Sequence, residues 1–412
     1  MNHFKKITAA ICAVAVAVSI AGCADVSTIG SIDNKTINAG IYLLYEQSAI
    51  SEAQEKIDST LEVASDSETG STATDYFTKS IDGKSYSQYV QDRTLELVKQ
   101  HVAIENKFNE LGLTLTDEEK SEVTSSAKDL WQSEILYYGY YSTGVTYGES
   151  YEDAGISRKS YEAVQLNKKM SNKVFDAYYE ENGISATDEQ DIATYFYDNY
   201  GRFQIIQVAL TEGNGDDITT DEGKKAKKEQ AQGYVDRLIA GEDYETVYHD
   251  YEAQVEKEKA EAEAESNASA SSEAASSATS SDASSDTSTD SSTDSTTTSG
   301  NEEEEEEEHD HEFLLSKTDT SPSEEFIKWL FELGNDKGGV YEDESVYYAV
   351  VRRDIKERED WLTENHSNVL HVMKDDDYEA MLNEMAKDYA LDLNNDALNR
   401  YKPENLKGIA EE

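Results

Sequence analysis

The chain has 412 residues, which is room for two or three domains with sizeable cores. Its 87 Asp and Glu far outnumber its 36 Lys and Arg, and the formal net charge of −51 repels the phosphates of nucleic acids. This composition argues against a nucleic-acid partner. Hydrophobic residues make up only 37% of the chain, below the roughly 45–50% of globular proteins, which indicates that a disordered segment dilutes the folded regions.

The N-terminal residues have the plan of a bacterial lipoprotein signal. After a positively charged start, residues 7–20 form an apolar run that is too short for a comfortable membrane span. The sequence Ile-Ala-Gly-Cys at 20–23 resembles a lipobox. We expect removal of the signal peptide, residues 1–22, and acylation of Cys23. The mature protein would then be extracytoplasmic and lipid-anchored to the bacterial cell membrane. Because Cys12 is lost with the signal, no disulfide is expected.

An amphipathic, mainly helical pattern follows. Residues 29–37 predict a hairpin that turns at Asp33-Asn34, and a capping box of Thr116 and Glu119 predicts a helix over 117–137. Further helices are expected at residues 39–57, 158–182 and 187–200. The tyrosine-rich stretch 137–151 is either a client-binding surface or a packed loop of the helical domain, and packing is the favoured interpretation.

A different pattern begins near residue 201. A strand over 203–210 is followed by a helix that ends at Gly241 and by another helical turn at 244–248. A low-complexity tract, residues 252–312, then divides the chain. It is rich in Ser, Ala and acidic residues, and it is expected to be disordered because it cannot bury enough apolar surface. Beyond it, the patterns predict a helix at 323–333, a strand at 346–352, a helix around 378–389, a strand stub at 391–393 and a last turn at 395–400.

Residues 239–245 read Ile-Ala-Gly-Glu-Asp-Tyr-Glu. In this segment the chain resembles the PrsA-type foldase lipoproteins and the related SurA-like chaperones, a family whose corresponding motif is L-x-x-G-x-D-F. Residues 326–333 resemble its F-x-x-A-x-F-x-L helix, and residues 389–402 resemble its closing segment. The resemblance implies a helical chaperone domain, built from both ends of the chain, with an inserted parvulin-type peptidyl-prolyl isomerase domain.

The implied fold class is therefore α+β. It combines a mainly helical SurA-like chaperone domain with an inserted small α/β parvulin-like domain, which the disordered acidic tract interrupts. The expected divisions are the signal peptide (1–22), the N-terminal part of the chaperone domain (23–200), the parvulin-like domain (201–355) with its insert (252–312), and the C-terminal part of the chaperone domain (356–412).

The departures from the family concern its active site. Parvulin-type isomerases usually carry a histidine in the first strand and another in the last, but the corresponding segments here read Gln-Ile-Ile-Gln-Val at 204–208 and Tyr-Tyr-Ala-Val-Val at 347–351. Of the family's apolar pocket, Phe326 alone has a counterpart, and we expect it to line a client pocket. No catalytic residue is assigned, and isomerase activity is expected to be weak or absent.

The sequence thus predicts a foldase or chaperone whose partners are unfolded secreted polypeptides and, through its lipid, the membrane. Two alternatives stay open: an active peptidyl-prolyl cis-trans isomerase, and a non-catalytic envelope lipoprotein that binds cations or wall components. No cofactor or metal site is expected. The motif His309-Asp310-His311, after a run of glutamates, lacks fixed geometry, so the acidic tract should at most associate weakly with Ca²⁺ or Mg²⁺.

Overall fold

The structure is a computed structural model, and it describes residues 27–62, 75–137, 141–276 and 311–406. The chain divides into two units: a first unit of Met1–Thr187 with Leu370–Glu412, and a second unit of Asp188–Val369. The predicted signal peptide, Cys23, and the residues His309 and Asp310 lie outside the described residues. Within the described ranges, no helix is both long and apolar enough to cross a membrane.

The first unit begins with a hairpin and continues mainly as helices. Its elements up to residue 179 are β1 (Thr28–Ile32), β2 (Lys35–Asn38), α1 (Ala39–Glu62), β3 (Ser80–Ile81), β4 (Lys84–Ser85), α2 (Tyr86–Glu110), α3 (Asp117–Gln132), β5 (Glu134–Tyr137), β6 (Tyr141–Thr146), α4 (Tyr147–Asp153) and α5 (Arg158–Tyr179).

The second unit is a small α/β arrangement. Its elements are α6 (Glu189–Asn199), β7 (Tyr200–Ala209), α7 (Asp221–Ile239), α8 (Tyr244–Ser276), β8 (Phe313–Ser316), α9 (Glu324–Glu332), β9 (Lys337–Glu342) and β10 (Val346–Arg353). Helix α10 (Glu359–Ala386) begins in the second unit and ends in the first. It is followed by β11 (Leu391–Leu393), α11 (Asn395–Arg400) and a 3₁₀ turn, Pro403–Asn405.

The N-terminal hairpin is part of a three-stranded sheet. Asp33 and Asn34 form its turn with φ of 48° and 61°, a left-handed conformation that short polar side chains tolerate. This confirms the predicted hairpin. Strand β11 pairs antiparallel with the other edge of β1, giving the order β11-β1-β2. The sheet therefore joins the beginning and the end of the described chain.

Helices α1, α2 and α5 build the core of the first unit against this sheet. Thr116 and Glu119 form the predicted reciprocal capping box, so that α3 starts where the sequence indicated. The buried apolar side chains of this core come from both strands and helices: Ile29, Ile32, Ile37, Ile41, Tyr42, Val98, Val102 and Val164.

The second unit contains a four-stranded antiparallel sheet in the order β8-β7-β10-β9. Successive side chains of a strand point to opposite faces. Ile206 and Val208 of β7 accordingly pack in one cluster with α7 and α8. Phe203 and Ile205 pack in another cluster with α9. Each face of the sheet thus has its own core, and the predicted α+β fold class is confirmed.

Two predicted segments differ from the structure. The acidic tract was expected to lack regular structure from residue 252, but α8 continues to Ser276. Its Glu, Lys and Ala residues favour helix, and Lys227 of α7 pairs with Glu258 at 2.7 Å. The remainder, 277–310, lies outside the described residues. The helix predicted over 117–137 ends at Gln132, because the aromatic and β-branched residues that follow form β5 and β6.

Candidate functional site

Four aromatic side chains form a continuous cluster on the α9 face of the four-stranded sheet. They are Phe326 and Trp329 of α9, Tyr341 of β9 and Tyr348 of β10, and we call them the aromatic cluster. The ring centroid of Phe326 lies 4.5 Å from that of Tyr348, 5.0 Å from that of Tyr341 and 6.1 Å from that of Trp329. Trp329 and Tyr341 are 5.3 Å apart. Such distances are typical of favourable aromatic contacts.

The local sequence explains how α9 presents the rings of Phe326 and Trp329. Its N-cap Ser323 accepts a hydrogen bond from the backbone N–H of Phe326 at 3.1 Å, which fixes the start of the helix. Phe326 and Leu330, four residues apart, both face the sheet. The ring of Trp329 lies over β9 at Gly339, where an added Cβ would be 3.3 Å from the ring. A side chain there would compete with Trp329 for space.

The structure places the predicted pocket residue Phe326 at the base of the aromatic cluster. Its side chain is only 2% exposed, whereas Trp329 and Tyr341 are half-buried. A bound segment would therefore first meet Trp329 and Tyr341. The role of Phe326 in a client pocket stays a prediction. The sequence analysis did not identify its three neighbours as pocket residues. Tyr341 belongs to β9, which was not predicted, Tyr348 was noted only as part of a strand that lacks histidine, and Trp329 was not singled out.

A polar cluster lies around Gln204 on the other side of β7 from the aromatic cluster. Gln204 is buried, and its Nε2 donates to Oε1 of Glu312 at 2.7 Å. Its Oε1 accepts a hydrogen bond from Nε of Arg353 at 3.0 Å. Arg202 Nε donates to Oε2 of Glu312 at 2.6 Å. Gln204 is thus a neutral member of an ion-pair network and supplies no group that titrates.

Removal of the Glu312 carboxylate should destabilise the second unit. The side chains of Arg202 and Glu312 are only 14% and 8% exposed. We expect Glu312→Ala to lower the free energy of unfolding by about 2 kcal/mol, because the largely buried Arg202 keeps only the exposed Glu357 as a partner and Gln204 loses its acceptor. Urea denaturation of the mature chain checks this. The control is Glu342→Ala, which removes an exposed pair with Lys228 and should cost less than about 1 kcal/mol. Equal losses would contradict the expectation.

The described histidines each contact a carboxylate. Nδ1 of His311 lies 2.5 Å from Glu245, and its ring stacks on Tyr248 with centroids 4.4 Å apart. His371 lies 2.8 Å from Asp375. Within the part of the chain that the structure describes, no group of three or more His, Cys, Asp or Glu side chains could hold a metal ion. These pairs therefore orient single imidazoles and assemble no ligand set.

The first unit contains a charged cavity of about 460 Å³. Its lining residues are Glu52, Lys56, Lys84, Tyr89, Asp92, Arg93, Glu96 and Glu379. Arg93 lies 2.7 Å from Glu52, 3.0 Å from Glu96 and 2.9 Å from Glu379. Burial raises the pKa of Glu379, but hydrogen bonds from Arg93 and Gln100 outweigh it and hold the pKa below its ordinary value. The lining charges pair with one another, which is typical of a structural network.

Comparisons with known proteins show a distant structural similarity. No family model matches the sequence, and no curated protein matches it. Among solved structures, the chain is similar to the foldase protein PrsA from Streptococcus pneumoniae str. Canada MDR_19A, with 15% sequence identity and a TM-score of 0.30. The match covers 77% of this chain and 95% of that one. At this distance, the function has to be argued from the residues of this chain.

Proposed function

We propose that this protein is an extracytoplasmic foldase that holds unfolded secreted polypeptides and is anchored to the bacterial cell membrane through lipid on Cys23. The observation that carries the proposal is the half-buried ring surface of Trp329 and Tyr341 above Phe326. Aromatic side chains offer a large apolar area at low cost in conformational entropy. Such a surface accepts many apolar sequences, because it does not depend on one hydrogen-bonding pattern.

The charge of the chain supports the same function. A net charge of −51 attracts basic polypeptides over a long range and keeps a complex soluble. The proposed client is therefore an unfolded segment that is both apolar and basic. Long-range attraction of this kind weakens with salt, so binding should decrease as ionic strength rises.

The site is better suited to holding a client polypeptide than to catalysing efficient isomerisation of its peptidyl-prolyl bonds. The barrier to rotation of a peptide bond is about 18–20 kcal/mol, and an enzyme must desolvate or twist that bond to lower it. Phe326 is covered. Gln204 lies on the opposite face of the sheet, where its amide is bonded to Glu312 and Arg353, so it cannot polarise a peptide bound at the aromatic cluster. We therefore propose that the parvulin-like domain, residues 201–355, is weakly active or inactive. The proposed chaperone domain is residues 23–200 with 356–412, whereas the second compact unit also includes residues 188–200 and 356–369.

Truncation of Trp329 should impair holding. We expect Trp329→Ala to raise about tenfold the protein concentration that half-suppresses aggregation of a reduced, basic secretory protein, followed by light scattering. The matched control is Phe313→Ala, which removes an exposed aromatic ring of the same unit outside the aromatic cluster. Circular dichroism verifies that both variants are folded. If Phe313→Ala is as harmful as Trp329→Ala, the aromatic cluster is not the binding surface.

A refolding assay separates holding from catalysis. A client whose refolding is limited by proline isomerisation is refolded with substoichiometric and with equimolar mature protein. We expect an unchanged rate and a higher yield near equimolar protein. Acceleration at substoichiometric protein would establish the isomerase alternative. No effect on rate or yield would favour the envelope-binding alternative.

A further inference from the structure

Strands β5 and β6 form a two-stranded ribbon, residues 134–137 and 141–146, in the first unit. Among the described strands they pair only with each other, so each has an outer edge without a neighbouring strand. Leu136 and Val145 are 50% and 42% exposed. Two-stranded ribbons of this kind are marginally stable alone, and an open edge is a template for another strand.

The base of the ribbon is firmly held. The backbone N–H of Tyr147 donates to the carbonyl of Ser133 at 3.0 Å, which closes the ribbon where it meets α3 and α4. Trp131 stacks on Tyr151 with centroids 5.1 Å apart and covers Gly148, where an added Cβ would lie 2.5 Å from the ring. The ribbon thus presents its edges from a fixed support, which lowers the entropy lost on binding.

The two edges of the ribbon differ. Between the pair Glu134–Thr146 and the pair Leu136–Ser142, three residues of β6 (143–145) lie opposite one residue of β5, so that β6 bulges there. Gly144 has a φ of 72°, and Oγ1 of Thr143 donates to the carbonyl of Ile135 at 2.8 Å. Bulges disrupt regular pairing along an edge. The edge of β5 is therefore the better template.

The charge around the ribbon selects the occupant. Residues 129–153 include five acidic residues and no Lys or Arg. A second copy of this chain would bring a further net charge of −51 to the same surface, so repulsion disfavours a dimer. A basic, extended polypeptide with apolar side chains complements both the charge and the exposed Leu136.

We propose that the outer edge of β5 binds an extended, basic and apolar segment of an unfolded polypeptide as a third strand. The proposal rests on the proposed holding function and adds a second contact, in the first unit, that acts through backbone hydrogen bonds. The aromatic cluster recognises apolar area, whereas β5 recognises extended backbone. A client held at β5 is kept from pairing with other strands.

The test uses the mature chain and a labelled peptide of alternating valine and lysine, with binding followed by fluorescence anisotropy. Leu136→Lys, on β5, should weaken binding about tenfold. The matched variant Val145→Lys, on the bulged strand β6, adds the same charge and should change binding less than about threefold. N-methylation of alternate residues of the peptide should also weaken binding about tenfold, because it removes backbone donors.

Other outcomes overturn the proposal in distinguishable ways. Equal effects of the two lysine variants, or full binding of the N-methylated peptide, would show that β5 adds no strand. If the wild type sediments as a dimer that Leu136→Lys dissociates, the occupant is a second copy. Loss of holding in Trp329→Ala, with peptide binding unaffected by Leu136→Lys, leaves the proposed function intact and removes this inference. Failure of the wild type to hold any polypeptide removes both.

Discussion

Glu46→Gln is expected to stabilise the first unit by about 3 to 5 kcal/mol at pH 9 and to have little effect at pH 4. Glu46 of α1 is fully buried, and neither of its carboxylate oxygens has a hydrogen-bond partner among the described residues. Burial, followed by the charge of Glu404, raises its pKa to about 8 from an ordinary 4.5. A buried charge without a partner is costly, which is why the folded protein retains this proton.

The sign of the pH dependence follows from proton binding. Between about pH 4.5 and 8, the folded state holds a proton on Glu46 that the unfolded state releases. The contribution of protonated Glu46 to the free energy of unfolding is fully present below pH 4.5. It is lost as the pH rises through 8. Glutamine does not titrate, so the stability difference between variant and wild type should grow across that range.

Urea denaturation of both proteins at several pH values measures this difference. Glu404→Gln is the informative companion variant, because it removes the neighbouring charge and keeps Glu46. It should lower the pKa of Glu46 only in part, since burial is the larger cause. A stability difference between Glu46→Gln and wild type that does not vary with pH would show that Glu46 is charged in the folded state.

Gly30→Ala should destabilise the three-stranded sheet by more than about 3 kcal/mol. Gly30 pairs with Leu393 and has a φ of 115°, a conformation that residues with a side chain rarely adopt. An added Cβ would lie 2.1 Å from the carbonyl oxygen of Asp392, which is part of the backbone and cannot move aside without breaking the pairing of β1 with β11. Chemical denaturation followed by circular dichroism measures the loss.

Gly83→Ala separates backbone strain from the clash. Gly83 has a φ of 79°, but an added Cβ there would meet no atom within 4 Å. The substitution should cost only about 1–2 kcal/mol, the strain of a left-handed residue. If both alanine variants lose the same stability, the close approach of β11 to Gly30 does not contribute.

Turns and helix ends were predicted correctly where the residues at that position determine the backbone conformation. Asp33 and Asn34 tolerate positive φ, so the hairpin turn was visible in the sequence. Gly241, with a φ of 89°, ends α7 as predicted. Strands β8 and β9 were not predicted as strands, because each is stabilised by pairing with β7 or β10, which lie far away in sequence.

The candidate site was predicted less completely than the fold. Phe326 was identified, but Glu312 was assigned to the acidic tract, and its contacts with Arg202 and Gln204 depend on the folded sheet. The burial of Glu46 could have been predicted from its spacing in the sequence. It follows Tyr42 by four positions and precedes Ala49 by three, so it lies on the apolar stripe of α1. A carboxylate on such a stripe indicates a buried, perturbed group.

Strand β11 also sets an order of folding events. Gly30 can pair with Leu393 only when the chain is available as far as residue 393, so this pairing closes a very long loop and is expected to be slow. The strands of the four-stranded sheet and the helices packed on it all lie between residues 188 and 369. They can therefore assemble while the first unit still lacks its last strand. If folding follows this order, the surface that bears Trp329 forms before the first unit has finished folding.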